Sequence, residues 1–182
     1  MYYFFLENEK TFVYLCHISQ KLGMKELHID LKIHFCDLHE LDKQDQELVE
    51  SAKAMTLTSY SPYSHFKVGA AIRLQDGQVF RGSNQENAVF PVGLCAERTA
   101  FFAASANAPQ VPPVCIAIAA QTGGAFTSRP VTPCGSCRQA LLEAETRFQQ
   151  PIRVLLYGTE GVYVIPSVKS LLPLTFDGSE LA

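Results

Sequence analysis

Residues 41–58 set Leu41, Leu48, Ala52 and Met55 on one side of a helical period, with Asp42 placed to cap the start. The pattern predicts an amphipathic helix, ended by Tyr60-Ser61-Pro62-Tyr63-Ser64. Residues 66–74 alternate and are rich in small and branched side chains, which predicts a strand. Asp76-Gly77 reads as a two-residue hairpin turn, and 78–83 as the returning strand. A helix is expected over 95–106. The unbroken apolar run 114–120 reads as a strand buried on both faces. A loop with Gly123-Gly124 and Pro130 leads to a helix over 134–148, then strands over 152–157 and 162–165 around Gly158-Thr159-Glu160-Gly161. Helix, two hairpin strands, helix, strand, helix, strand, strand predicts an α/β fold. We expect a three-layer α/β/α sandwich with a mixed sheet of five strands.

Residues 1–40 differ from this pattern. They hold four of the five histidines and read as an N-terminal extension to a domain spanning 41–182. Met24 offers a second start, so residues 1–23 are read as the product of an upstream start codon, the alternative being a short packed extension.

With 182 residues, 47% apolar and 18% charged, the chain suits one globular core. A net charge of −3 argues against a nucleic-acid partner, and no apolar run is long enough to span a bilayer. The six cysteines, Cys16, Cys36, Cys95, Cys115, Cys134 and Cys137, follow no positively charged leader, so a cytoplasmic compartment with metal or redox chemistry is expected.

The chemistry concentrates in Cys95-Ala96-Glu97 and Pro133-Cys134-Gly135-Ser136-Cys137. Three thiolates suit Zn²⁺ and leave a fourth position for water. Cys134 and Cys137, three apart at a helix start, can face one centre. Cys95 and Glu97, two apart, would diverge on a regular helix. Both reach the same space if Cys95 stands at the helix entry and Glu97 in the first turn. Two helix N-termini aimed at the metal would offset the negative charge of three thiolates and favour the deprotonated sulfurs. Arg98 is expected to donate to a ligand sulfur, with Arg138 a second candidate. Cys115, inside an apolar strand, and Cys16 and Cys36, far upstream, are poor fourth ligands for a structural zinc clamp. Phe66 is as readily core as pocket. Asn84 and Glu86, two apart on an extended segment, face one side and suit a sugar hydroxyl, or are a solvated strand end.

These motifs resemble the cytidine deaminase family, in its small homotetrameric, three-cysteine zinc form. The likeness runs from Ser61 to Phe176. It is carried by Ser61-Pro62-Tyr63-Ser64, Phe66-Lys67-Val68-Gly69-Ala70-Ala71, Asn84-Gln85-Glu86-Asn87-Ala88, Gly93-Leu94-Cys95-Ala96-Glu97-Arg98-Thr99-Ala100 and Pro133-Cys134-Gly135-Ser136-Cys137-Arg138-Gln139. The resemblance implies zinc on Cys95, Cys134 and Cys137. It makes Glu97 the proton carrier between water, the pyrimidine N3 and the leaving amine. It assigns Asn84 and Glu86 to the ribose, Phe66 to the base, the Ala96 backbone to the base edge, and Phe176 to a neighbouring subunit's pocket. The implied reaction is deamination of cytidine and deoxycytidine in pyrimidine salvage. Two departures stand out: Phe90 replaces a family tyrosine before Pro91, and the tail reads Phe176-Asp177-Gly178. The rivals are a nucleoside-antibiotic deaminase, a polynucleotide editor and a non-catalytic zinc module.

Overall fold

The computed structural model describes residues 25–181, so Cys16, His17 and the alternative start at Met24 lie outside the described residues. Among the described residues there are three α-helices: α1 (Lys43–Met55), α2 (Ala96–Asn107) and α3 (Gly135–Phe148). The strands are β1 (His34–Cys36), β2 (Lys67–Leu74), β3 (Val79–Ser83), β4 (Pro113–Thr122), β5 (Ala125–Phe126), β6 (Arg153–Gly158) and β7 (Gly161–Ile165). They form one mixed sheet in the order β1-β7-β6-β4-β2-β3, with β5 paired to the end of β4. The sheet therefore has seven strands rather than the five expected. The two additions are only three and two residues long. The larger compact unit begins at Leu31, so β1, from the segment read as an extension, is an edge strand of the sheet. The described part of the other unit, residues 25–30, is exposed and carries no helix or strand.

β4 shows why the fold has three layers. Ile116 and Ile118 join the core beneath α2 and α3, with Ile72, Ala100, Leu141 and Leu156. Cys115, Ala117 and Ala119, on the opposite face, join the core beneath α1, with Leu48, Val49, Ala52 and Leu155. A strand covered on both faces loses its polar alternation and reads as one apolar run. On α1 the buried row is Leu48, Val49 and Ala52, while Leu41 and Met55 are only half-buried. Asp42 does cap α1, accepting from the Asp45 backbone N–H at 2.8 Å. The β2–β3 turn is longer than two residues. Leu74 N–H bonds to the Gln78 carbonyl, and residues 75–77 make the loop, with Gly77 at φ +89°.

Close packing at a second glycine sets the position of α2. A Cβ on Gly82 would lie 2.5 Å from the Ala100 nitrogen and 2.7 Å from the Ala96 oxygen, so the first turns of α2 rest on bare β3 backbone.

Two buried carboxylates tie the layers together. Asp45, 3% exposed in the first turn of α1, pairs with Arg73 of β2 at 2.8 Å and with Arg153 of β6. Glu145, near the end of α3, accepts from the backbone N–H groups of Ile152 (2.6 Å), Val168 (2.8 Å) and Lys169 (3.1 Å) and from the Ser167 hydroxyl (2.9 Å). One anion thus anchors both the approach to β6 and the 3-10 turn Val168–Leu171. Hydrogen bonds to a charged group are worth more than neutral ones, and buried donors left without an acceptor are costly. Replacing Glu145→Ala should cost roughly 3 kcal/mol of unfolding free energy, read as a lower urea midpoint at unchanged slope. A loss below about 0.5 kcal/mol would show that the clamp contributes little.

Candidate metal centre

The sheet topology brings the three cysteines together. β3 and β4 both run antiparallel to β2, and β6 runs parallel to β4. β3, β4 and β6 therefore share one direction, and their C-terminal ends share one edge of the sheet. α2 follows β3, and α3 follows β4 after the two-residue β5 paired to its end, so both helices begin at that edge. This is the edge where α/β sheets place their ligands.

Cys95 and Cys134 are the N-cap residues of α2 and α3, with extended backbones (φ −73°, ψ 151° and φ −68°, ψ 166°). Their carbonyls already accept the first helical bonds, from Thr99 N–H and Arg138 N–H, each at 3.0 Å. Cys137 lies in the first turn of α3 and is buried. The Cys95 and Cys134 sulfurs are 3.8 Å apart and those of Cys134 and Cys137 3.4 Å, and all three lie within 4.8 Å of one another. Thiolates at about 2.3 Å from a tetrahedral zinc stand about 3.8 Å from each other, so the donor set fits that ion. Among the described residues no further Cys, His, Asp or Glu joins the cluster. Cys36 and Cys115 lie apart from it as free thiols.

Glu97, in the first turn of α2, is 5% exposed. Burial raises its carboxyl above the usual range, against hydrogen bonds that include one from Cys137. Among the sulfurs, a hydrogen bond from Cys137, opposed by burial and reinforced by Arg98, draws Cys95 down to about 5. The same bond pushes Cys137 up. Arg98 Nη2 stands 3.8 Å from the Cys95 sulfur. Arg138 is a correction: its guanidinium donates to the carbonyls of Pro133 (2.8 Å) and Leu171 (2.9 Å) and to the Thr132 hydroxyl (3.3 Å), so it braces loops and meets no sulfur.

A groove of about 500 Å³ opens beside Cys95, lined among others by Tyr63, Asn84, Glu86, Phe90 and Leu94. Its floor is backbone pairing between Gln85 and Leu94 (2.8 and 2.9 Å), extended by Glu86 N–H to the Tyr60 carbonyl (2.8 Å). Asn84 and Glu86 thus share one wall with a metal-ligand candidate. Both are also bound to their own surroundings. Asn84 Oδ1 accepts from Val68 N–H (2.8 Å) and the Ser59 hydroxyl (2.5 Å), and its amide nitrogen donates to the Phe66 carbonyl (2.9 Å). Glu86 accepts at Oε2 from the N–H groups of Tyr63 (2.9 Å) and Ser64 (3.2 Å); the Ser64 side chain first, and then these backbone donors, hold its carboxyl below the usual range. Ala96 is fully buried at the start of α2. Phe66 is half-buried beside Asn84 and is not part of the groove lining. Phe176 is 60% exposed, held by Gln139 through its backbone carbonyl at 2.9 Å.

Tyr63, Gln85 and Leu94 are groove residues that no spacing singled out. Gln85 and Leu94 enter through the irregular bridges of Gln85 to Tyr60 and Leu94, and Tyr63 through its backbone N–H bond to Glu86. The five described cysteines should divide by environment. Burial pushes the Cys115 thiol up to about 12, so native protein at pH 8 with zinc bound should leave Cys115 unalkylated by iodoacetamide while Cys36 reacts; equal labelling would show that β4 is not packed as described. Cys137→Ala should purify with zinc well below one equivalent by atomic emission, whereas Cys115→Ala keeps it; full occupancy in the first would remove Cys137 from the ligand set.

Comparison with known proteins bears on the same residues. A family model described as "Cytidine and deoxycytidylate deaminase zinc-binding region" matches residues 42–149 and so spans both cysteine motifs. A cytidine deaminase of Halalkalibacterium halodurans is 39% identical over 139 residues, 75% of this chain and 96% of that one. One from Sporosarcina psychrophila is 35% identical over 137 residues, 75% of this chain and 94% of that one. Among solved structures, cytidine deaminase from Burkholderia pseudomallei superposes with a TM-score of 0.62 at 40% identity, covering 71% of this chain and 97% of that one. The chain belongs to the cytidine and deoxycytidylate deaminase family.

Proposed function

We propose that this protein hydrolyses cytidine and deoxycytidine to uridine and deoxyuridine as a zinc-dependent step of pyrimidine salvage. The observation that supports this most is the convergence of three cysteine sulfurs at two helix N-termini, with the buried carboxylate of Glu97 in the first turn of one of them. In this reading residues 41–182 are the catalytic domain. Cys95, Cys134 and Cys137 hold the ion, which when bound supplies a Lewis acid that makes water a nucleophile at neutral pH.

This chain's own residues do the rest. Glu97 accepts the proton from water and passes it to the pyrimidine N3, so that addition of hydroxide at C4 places no negative charge on the ring. It then takes the proton of the new C4 hydroxyl and delivers it to the amine, so that C4=O forms as the C4–N bond breaks and ammonia leaves. Its burial raises its basicity as a carboxylate, which suits a group that must both take and give a proton. The unpaired N–H groups at the starts of α2 and α3 stabilise negative charge near the sulfurs, and Arg98 adds a positive charge beside Cys95. Ala96, at the first position of α2, offers its backbone to the base edge, and Phe66 packs against the base.

Asn84 and Glu86 take the ribose hydroxyls. Their bonds to Val68, Ser59, Tyr63 and Ser64 fix both side chains before substrate arrives, and Glu86 Oε1 remains for a hydroxyl. Carboxylate and amide at the sugar position favour a free nucleoside over a polynucleotide, whose chain would have to pass there. Exposed Tyr63, Val89, Phe90, Val92 and Phe102, at 46–74%, suit burial in a homotetramer, where Phe176 would reach a neighbouring groove. Free thiols throughout the described residues suit a cytoplasmic setting, and no described helix is long and apolar enough to cross a membrane.

Glu97→Ala should retain about one zinc per chain and lose at least about a hundredfold in kcat on cytidine, followed by ultraviolet absorbance. Turnover within a few-fold of the parent would remove Glu97 from proton transfer. The same assay with deoxycytidine and blasticidin S separates nucleoside salvage from antibiotic deamination.

A further inference from the structure

Residues 27–35 read Leu-His-Ile-Asp-Leu-Lys-Ile-His-Phe, a strict alternation of apolar and polar side chains. Such alternation specifies a strand with one apolar face. Yet Leu27, Ile29, Leu31, Ile33 and Phe35 are 43–76% exposed, and only His34–Cys36 at the end of this run pair with the sheet, along β7. β1 is the terminal strand, so its outer edge has no strand partner among the described residues. An apolar strand at an open edge is a template for pairing with another chain.

The sequence of this run says what that chain is. Laid antiparallel against its own copy with Leu31 opposite Leu31, the run sets Asp30 opposite Lys32 and Lys32 opposite Asp30. Ile29 then meets Ile33, Leu27 meets Phe35 and His28 meets His34. Every apolar residue faces an apolar one, and both charges are matched. Shifting the register by two residues in one direction puts Lys32 opposite Lys32, and by two in the other puts Asp30 opposite Asp30. Like charges directly opposite are unfavourable and opposite charges favourable, so one register is selected. A two-fold axis through Leu31 makes the contact closed and self-complementary. Pairing also supplies hydrogen-bond partners to the backbone of residues 27–33, which are in no strand, and covers the Phe35 ring where it leans on Tyr163 at 5.2 Å.

We propose that residues 27–35 pair antiparallel with the same residues of a second copy, joining two sheets edge to edge about a two-fold axis at Leu31. This contact is separate from the groove beside Cys95 and from the apolar residues around Phe90.

Charge exchange and cross-linking test the register in the zinc-loaded full chain. Sedimentation velocity should show Lys32→Asp and Asp30→Lys each weakening one association step about tenfold or more, because each sets like charges opposite. The double exchange D30K/K32D restores opposite charges and should recover parental association, as should an equimolar mixture of the two single variants. In a Cys16→Ser/Cys36→Ser background, Leu31→Cys should form a covalent dimer on mild oxidation, and Lys32→Cys much less. Deamination of cytidine by the charge variants should stay within about twofold of the parent, which confirms that they fold. Unchanged association in both single variants, failure of the double exchange to recover it, or equal cross-linking at 31 and 32 would overturn the proposal. The first of these would assign the apolar row to the chain's own N-terminal residues or to a different protein.

Discussion

Two helices must begin at one point in space for three sulfurs to meet, and the rest of the structure follows from that requirement. A thiolate cluster carries more negative charge than the ion it binds. It is tolerable only where unpaired N–H groups and aligned peptide dipoles offset the excess. One helix supplies part of this, and two supply it from both sides of the site. Two helix N-termini share an edge only if the strands before them run the same way, which the common direction of β3, β4 and β6 provides. The approach must also be close. Gly82 leaves nothing between β3 and the first turns of α2, so the sulfur of Cys95 and the carboxylate of Glu97 are held by backbone packing rather than by a flexible side chain.

The groove wall obeys a related economy. Asn84 and Glu86 each tie down backbone at or just before the start of β2: Asn84 bridges Phe66 and Val68, and Glu86 caps the turn at Tyr63 and Ser64. A polar side chain fixed in this way has already lost its rotamer freedom, so a ligand that meets it has less ordering to oppose. The same bonds give these residues a structural role beside the one proposed for them. Substitutions there change the shape of the groove together with its chemistry, so a loss of binding alone does not separate the two roles.

Much of this was legible from residue order. The two-residue spacing of Cys95 and Glu97 is incompatible with a shared helical face. That forces Cys95 to the helix entry, which is where its extended φ and ψ place it. The continuous apolar run of β4 specifies burial on both faces, and the two cores flank it. What stayed hidden depends on partners distant in sequence. Glu145 looks like one more helical surface charge, because its donors, the backbone of Ile152, Val168 and Lys169, carry no side-chain signature. Asp45 is hidden for the same reason, its arginines lying on β2 and β6. Arg138 stands beside a ligand cysteine in sequence, yet its guanidinium turns to carbonyls, which outnumber sulfurs around a helix start. β5 is too short for a period of two to show, and β1 takes up only the last residues of the alternating run 27–35.

The two ends of the sheet carry different burdens. At one end β3 is covered by α2, whose first turn is committed to the sulfurs, so that end has little freedom to vary. β1 at the other end lies five strand spacings away, about 24 Å, and contributes no residue to the groove. Additions to β1 therefore leave the geometry of Cys95, Cys134 and Cys137 untouched, while a longer apolar β1 raises the risk of unregulated edge pairing. A run that alternates strictly, with one acid and one base placed symmetrically about Leu31, limits that risk by admitting one register and closing on itself. In the two registers shifted by two residues the charges weaken pairing more than they strengthen the matched one, since repulsion and lost attraction act together there. Symmetry in so short a run thus turns an aggregation hazard into a specific contact.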